Sequence, residues 1–294
     1  MMRLLKQSYT VFLYLMVTMT LAVYVFILFL ILLITPPFLG RASLRSHLEH
    51  LPSVWSRCLS FIITHTTPTR FKVQGLNPVS RDHSYLIIAN HQSWLDIIIM
   101  QHIFDSKLPQ LRYFMKRELL YIPFMGFACY ILGYPFMKRY SPAYLERHPE
   151  KKGQDIETTR ETCKRFLNRP ITLINFVEGT RFTPKKQVNS HFQHLLNPKS
   201  GGIALTLQIM DGRIQSILNV TICYSEKEKI MQKFLAGEMK DIQVLVEHIP
   251  VTPDLIGDYQ HDAVFKKHFQ QWLSAAWARK DEILHTFKQE HHDK

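Results

Sequence analysis

The stretch "SYLIIANHQSWLDIIIM" (residues 84–100) decides how the rest of the chain is read. Within it "YLIIAN" (85–90) is a short, nearly continuous apolar run, the mark of a strand covered on both faces. The segment "WLDIIIMQHIF" (94–104) that follows has helical length. A buried strand running straight into a helix is the opening of a β-α unit. At the seam, His91 stands five residues ahead of Asp96. Two readings are open here. Either Asn90 or Ser93 caps the helix and His91 is a satisfied core histidine, or His91 is a base and Asp96 the carboxylate that holds it. On a single helix five residues turn through about 140° at ~3.6 residues per turn, so the two side chains would diverge. They meet only if His91 lies on the turn before the helix and Asp96 in its first turns.

The same alternation continues outward. "RFKVQG" (70–75), "LRYFMK" (111–116), "GYPFMKR" (133–139), "ITLINF" (171–176), "SILNVTICY" (216–224) and "DIQVLVEHIPV" (241–251) read as strands. Residues 94–104, 122–132, 155–168 with Asp155 as cap, 201–210 and 261–289 read as helices, and the polar stretches 140–154 and 183–200 as loops. Strands alternating with helices predict an α/β fold: a largely parallel central sheet flanked by helices. Ligands in such sheets bind beyond the carboxyl ends of the strands. Both "NHQSWLD" and "FVEGTR" (176–181) follow strands, so they can share one edge. In the second motif Gly179 lets the backbone approach a ligand. Arg181 can grip a phosphate or carboxylate through paired hydrogen bonds. An ordinary turn with a surface Glu–Arg pair is the alternative. "GYPFMKR" ends in Lys138 and Arg139, a basic pair at a strand end or simply a solvated edge.

The chain has 294 residues, and its 36 Lys and Arg against 24 Asp and Glu leave a net charge of +12. That excess points to an anionic partner: nucleic acid, a phosphate-bearing molecule or an anionic lipid surface. The N-terminus narrows the choice. Residues 7–40 carry no charge, and residues 11–34 are continuously apolar. As a helix this run is ~36 Å long, enough for the ~30 Å hydrocarbon core of a bilayer. It is longer than the ~7–15 residues of a signal-peptide apolar region and lacks a small-residue cleavage site. Pro36 and Pro37 would end the helix. The stretch 41–63 mixes apolar and basic residues and can form a second helix lying in the interface. Basic residues flank the apolar run on both sides, which fits either a spanning helix or a hairpin entering one leaflet. The expected division is an anchor and interfacial helix over 1–66 and a catalytic domain over 67–294. Cys58, Cys129, Cys163 and Cys223 form no C-x-x-C pair, so neither a disulfide framework nor a zinc site is expected. His91 and Asp96 have no third and fourth ligand at metal-binding spacing. No aromatic strand motif or basic recognition helix supports nucleic-acid binding.

Taken in order, Asn90-His91-x4-Asp96 and Phe176-Val177-Glu178-Gly179-Thr180-Arg181 resemble motifs I and III of the PlsC-type glycerolipid acyltransferases, the family that includes the 1-acyl-glycerol-3-phosphate acyltransferases. "GYPFMKR" sits where that family has motif II, and Arg139 matches its closing arginine. "MKRELLYIP" (115–123) is similar to the Lys-x-Glu-Leu…Pro stretch between motifs I and II. "FQHLLNPKSGGIA" (192–204) and "LNVTICY" (218–224) resemble further segments, and residues 136–160 are similar to bacterial membrane acyltransferases of the YihG type. The resemblance covers residues 70–290. Lys138 stands where the family often has Asp, and Ile217–Thr221 stand where its fourth motif is usually proline-rich.

The resemblance implies acyl transfer from acyl-CoA or acyl-carrier protein to a lysophospholipid hydroxyl, without cofactor or metal. The implied acceptor is 1-acyl-glycerol-3-phosphate and the product phosphatidic acid. Another lysophospholipid such as lysophosphatidylglycerol, or a non-catalytic module that binds anionic lipid, are the other readings. His91 would be the base and Asp96 its partner. Lys116, Arg139 and Arg181 would hold the acceptor phosphate, Glu178 would position the glycerol hydroxyls, and backbone N–H groups near Gly179, with Thr180 beside it in the substrate site, would face the oxyanion. The expected location is a bacterial inner membrane, with the catalytic domain facing the cytoplasm.

Overall fold

The computed structural model describes residues 2–76, 79–137, 142–148, 157, 160–161, 163–164, 167, 169–226 and 228–290. Its centre is a six-stranded sheet in the order β1-β8-β7-β2-β6-β3. These strands are β1 (Arg70–Gln74), β2 (Ser84–Ala89), β3 (Leu111–Tyr113), β6 (Thr172–Phe176), β7 (Ile214–Tyr224) and β8 (Asp241–Pro250). β2 lies between β7 and β6, and all six of its residues are buried. Its side chains alternate between two cores. Tyr85, Ile87 and Ala89 pack with Leu95, Ile99 and Ile103 of helix α3 (Leu95–Phe104). Leu86 and Ile88 face the other way. They pack with Ile203 and Leu207 of the helix Gly201–Met210 and with Leu273 and Trp277 of the C-terminal helix Ala263–Glu290. Covering on both faces is why the strand reads as a nearly continuous apolar run.

The sheet is parallel except between β7 and β8, which run antiparallel. Other departures from the sequence reading are local. The strand expected over 111–116 is broken: β3 joins the main sheet, while β4 (Met115–Lys116) pairs with β5 (Phe136–Met137) in a separate ladder. The helix expected over 122–132 is a 3-10 turn, Arg117–Tyr121, followed by α4 (Met125–Ile131). Phe124 sits between them at φ 59°, a positive φ that interrupts the helix. Short helices Pro142–Arg147 and Pro184–Gln187 lie within the stretches read as loops. Asp155 and much of the helix expected over 155–168 lie outside the described residues.

Two helices precede the sheet. α1 (Met2–Ile34) is long and apolar enough to cross a membrane, and only 22% of its most apolar window is buried. It ends just before Thr35-Pro36-Pro37, and α2 (Arg41–Thr66) returns alongside it. Ala22, Val25 and Leu28 pack against Leu48 and Leu51 of α2 and Ala128 of α4. The start of α1 rests on the domain itself. Arg3 pairs with Glu238 at 2.8 Å, and Val11 and Tyr14 pack on the core that α3 covers. Ile34, Phe38 and Leu39 at the tip of this hairpin are exposed.

Candidate active site

The loop between β2 and α3 is built as an extension of the sheet. Asn90 Nδ2 donates to the Ile222 carbonyl at 3.0 Å, and the Ile222 N–H donates to Asn90 Oδ1 at 2.9 Å. The side-chain amide thus copies a peptide group and continues the β2–β7 pairing by one step. Asn90 therefore caps no helix. Ser93 makes only a local turn, accepting the Leu95 N–H at 3.2 Å.

The chain then turns at His91 and enters α3, with Asp96 in its first turn. His91 Nδ1 donates to Asp96 Oδ2 at 2.7 Å, which meets the geometric demand stated above. The carboxylate is fully buried and heavily bonded. The same oxygen accepts the N–H groups of Gln92 at 2.7 Å and Ser93 at 3.0 Å, and Oδ1 accepts the Tyr224 hydroxyl. Burial and then the Asp96 charge push the Tyr224 phenol well above its ordinary value, so it stays protonated and donates. The His91 ring stacks on Phe176 at 4.1 Å between centroids, and its side chain is 14% exposed. Asp96 thereby fixes which imidazole nitrogen carries the proton, while Phe176 fixes the plane of the ring.

The second turn, at the end of β6, is tied to the first. The Phe182 N–H donates to the His91 carbonyl at 2.7 Å, and the His91 N–H donates to Glu178 Oε1 at 3.3 Å. Gly179, at φ 72°, lets the chain fold back, with its N–H donating to the Phe176 carbonyl at 2.9 Å. That N–H is thus engaged within the turn. Glu178 is buried, 2% exposed, so its carboxylate lies behind the turn and against the His91 backbone. Burial pushes this carboxyl up to about 8, against the hydrogen bond from His91 and the charge of Lys280. Thr180 accepts from Lys186 Nζ at 2.7 Å. Arg181 is exposed, its guanidinium 5.0 Å from the centre of the exposed Trp94 ring.

His91, Asp96, Glu178, Gly179, Thr180 and Arg181 are therefore brought to one edge of the sheet, beyond the carboxyl ends of β2 and β6. Lys116 stands exposed on β4, which pairs it with Met137 of β5. Arg139, two residues further on, lies outside the described residues. Sequence reasoning missed Tyr224, Phe176 and Lys280. Tyr224 and Phe176 end strands that point at the site, a position that could have singled them out. Lys280 falls on the buried stripe Phe269, Leu273, Trp277, Lys280, Leu284, Phe287 of the C-terminal helix, where every other residue is apolar. Among the described residues no group of three or more His, Cys, Asp or Glu could hold a metal ion.

Comparison with known proteins identifies the family and the fold. The family model described as "Acyltransferase" matches residues 70–225. The 1-acyl-sn-glycerol-3-phosphate acyltransferase epsilon of Mus musculus is 21% identical over 265 residues, covering 81% of this chain and 67% of the relative. The gamma enzyme of Homo sapiens is 24% identical over 255 residues, covering 81% of this chain and 62% of the relative. This chain thus spans about two thirds or less of the length of these relatives. The crystal structure of the 1-acyl-sn-glycerophosphate (LPA) acyltransferase PlsC from Thermotoga maritima shares the fold. Its TM-score is 0.55 at 16% identity, covering 99% of this chain and 98% of that one. The strand-end turns that hold His91 and Glu178 both lie inside the matched segment, and the chain belongs to the acyltransferase family of PlsC and the 1-acyl-sn-glycerol-3-phosphate acyltransferases.

Proposed function

We propose that this enzyme moves a fatty acyl group from acyl-CoA or acyl-carrier protein to the free hydroxyl of 1-acyl-glycerol-3-phosphate, giving phosphatidic acid, with His91 as general base. The observation that carries the reading is the 2.7 Å bond from His91 Nδ1 to the buried Asp96 carboxylate. With Nδ1–H committed to Asp96, Nε2 holds the lone pair that removes the hydroxyl proton as the oxygen attacks the thioester carbonyl. The tetrahedral intermediate collapses by expelling the thiolate, which takes the proton back from the imidazolium. The Asp96 carboxylate stabilises that imidazolium. No covalent acyl-enzyme is needed. The names of the relatives support the acceptor class.

Arg181, Arg139 and Lys116 supply the charge that binds the acceptor phosphate, and Trp94 holds the Arg181 guanidinium at the rim. Residues 1–66 form the membrane anchor and residues 67–294 the catalytic domain. Both ends of the α1–α2 hairpin return to that domain: Arg3 pairs with Glu238, and Thr66 leads into β1. This supports a hairpin that enters one leaflet from the cytoplasmic side, its apolar tip inward, over a helix that crosses the bilayer. An enzyme held this way meets the lysolipid in the membrane and the thioester in the cytosol.

The test is acyl transfer by the purified protein in mixed micelles, using labelled acyl-CoA and a panel of lysophospholipids. Wild type is expected to prefer 1-acyl-glycerol-3-phosphate, and His91→Ala to lose transfer to every acceptor. Full activity of His91→Ala removes the base assignment, and a wild-type preference for another headgroup removes the acceptor assignment.

A further inference from the structure

Beneath the His91 turn the protein buries a lysine. Lys280, on the helix Ala263–Glu290, is 0% exposed. An ammonium is costly to bury unless its hydrogens and its charge are both met. Its Nζ donates to the Val220 carbonyl at 2.6 Å, reaches the Ile88 carbonyl at 3.5 Å and lies 4.5 Å from the centre of the Trp277 ring. Ile88 and Val220 belong to the adjacent strands β2 and β7, where Ala89 pairs with Val220. One residue beyond, the Asn90 amide bonds Ile222, and His91 follows. Lys280 therefore grips the end of β2 and the stretch of β7 paired with it, just behind the His91 turn.

The ionisable groups that act on Lys280 are Glu178 after β6, Glu247 on β8 and the Cys223 thiol on β7. Glu247 already holds Arg279 at 2.8 Å and Asn219 at 2.9 Å. Glu178 accepts the His91 N–H, so Lys280 and Glu178 both bear on the backbone of the His91 turn.

We propose that Lys280 is a positioning residue for acyl transfer: from behind the sheet it ties the end of β2 to the stretch of β7 beside it, and so holds the His91 backbone in place. It touches no substrate. This inference rests on the reading of His91 as the base.

The experiment compares full-length wild type, Lys280→Met, Glu178→Gln and the double variant in one micellar acyl-transfer assay. Hydrogen exchange of residues 85–96 and thermal melting are followed in parallel. Lys280→Met is expected to lower kcat 10- to 100-fold, with KM for the lysolipid within twofold, and to speed exchange at residues 89–93 while residues 98–104 stay protected. Glu178→Gln is expected to cost a similar factor, and the double variant less than threefold more, because the two residues act as one unit. Wild-type kcat in Lys280→Met, a loss carried by KM, or losses that multiply in the double variant would each overturn the proposal. Unfolding throughout the domain would do so as well, since it makes Lys280 a general core residue. If wild type itself acylates no lysophospholipid, the proposed function falls, while the exchange pattern still decides whether Lys280 holds the turn.

Discussion

Replacing Asp96 with asparagine separates charge from shape at the centre of the site. The asparagine carbonyl can take the place of Oδ2 and accept from His91 Nδ1, Gln92 N and Ser93 N, which now reach that oxygen at 2.7, 2.7 and 3.0 Å. Its amide then faces Tyr224, whose hydroxyl turns to accept. The hydrogen-bond frame survives, and the desolvation cost of a buried carboxylate disappears with its charge. Melting should therefore change little. The transition state fares differently, because the imidazolium forms next to a neutral amide. Two unit charges about 4 Å apart at an effective dielectric near 20 attract by about 4 kcal/mol. Loss of that attraction lowers kcat by about 10³-fold. Release of the CoA thiol, followed with a chromogenic disulfide at saturating lysolipid, gives kcat directly. An Asp96→Asn enzyme within tenfold of wild-type kcat, or one impaired only in KM, would refute the reasoning.

Further predictions rest on neighbouring contacts. Tyr224→Phe leaves Asp96 Oδ1 without its hydroxyl donor; it should destabilise the fold by about 1–3 kcal/mol in urea titration and lower kcat more than it raises KM. Asn90→Ala removes both bonds to Ile222 and should cost about 2–4 kcal/mol by the same measurement, since two buried peptide groups lose partners. Arg181→Ala should raise KM about tenfold for acceptors with a terminal phosphate, the loss of one charge-assisted contact, and leave acceptors without one unchanged; an equal loss for all would remove its phosphate role. The raised Glu178 carboxyl sets a pH dependence. Between its ordinary value near 4.5 and its folded value of about 8 the native state binds more protons, so its contribution falls as pH rises through that window. Glu178→Gln should gain on wild type in thermal melting from pH 5 to pH 8, by at most about 1.4 kcal/mol per pH unit.

The parts of the fold legible in the sequence are those governed by local pattern. β2 and α3 announce themselves through an apolar run that changes period at Asn90, and the His91–Asp96 spacing states its own geometric condition. The two motif turns could be placed at one edge because both follow strands. What stayed hidden depends on partners distant in the chain. The antiparallel run of β8 follows from how it returns to β7, and its own alternation is the same in either direction. β4 is two residues long and exists only because β5 lies beside it. The Phe124 conformation splits a segment whose composition suits one helix. Glu178 reads as a surface residue in "FVEGTR", whereas the fold buries it against the His91 backbone. Lys280 is the instructive case. A lysine at a core position on an amphipathic helix is a visible anomaly, but a chain with 36 Lys and Arg residues offers many lysines and hides it.

The Asn90 amide has a consequence for how the enzyme meets its substrate. A loop that its ligand has to order consumes binding energy in the ordering. Here a side chain spliced into the ladder makes the turn part of the lattice of the sheet, so His91 inherits the stiffness of β2 and β7. On the proposed reading, the histidine already stands in its working orientation before a lipid binds. Selectivity must then come from what fits a fixed template. Variants that widen the range of acceptors should arise around that template, at Trp94, Lys116 or Arg181, before they arise in the ladder that holds it.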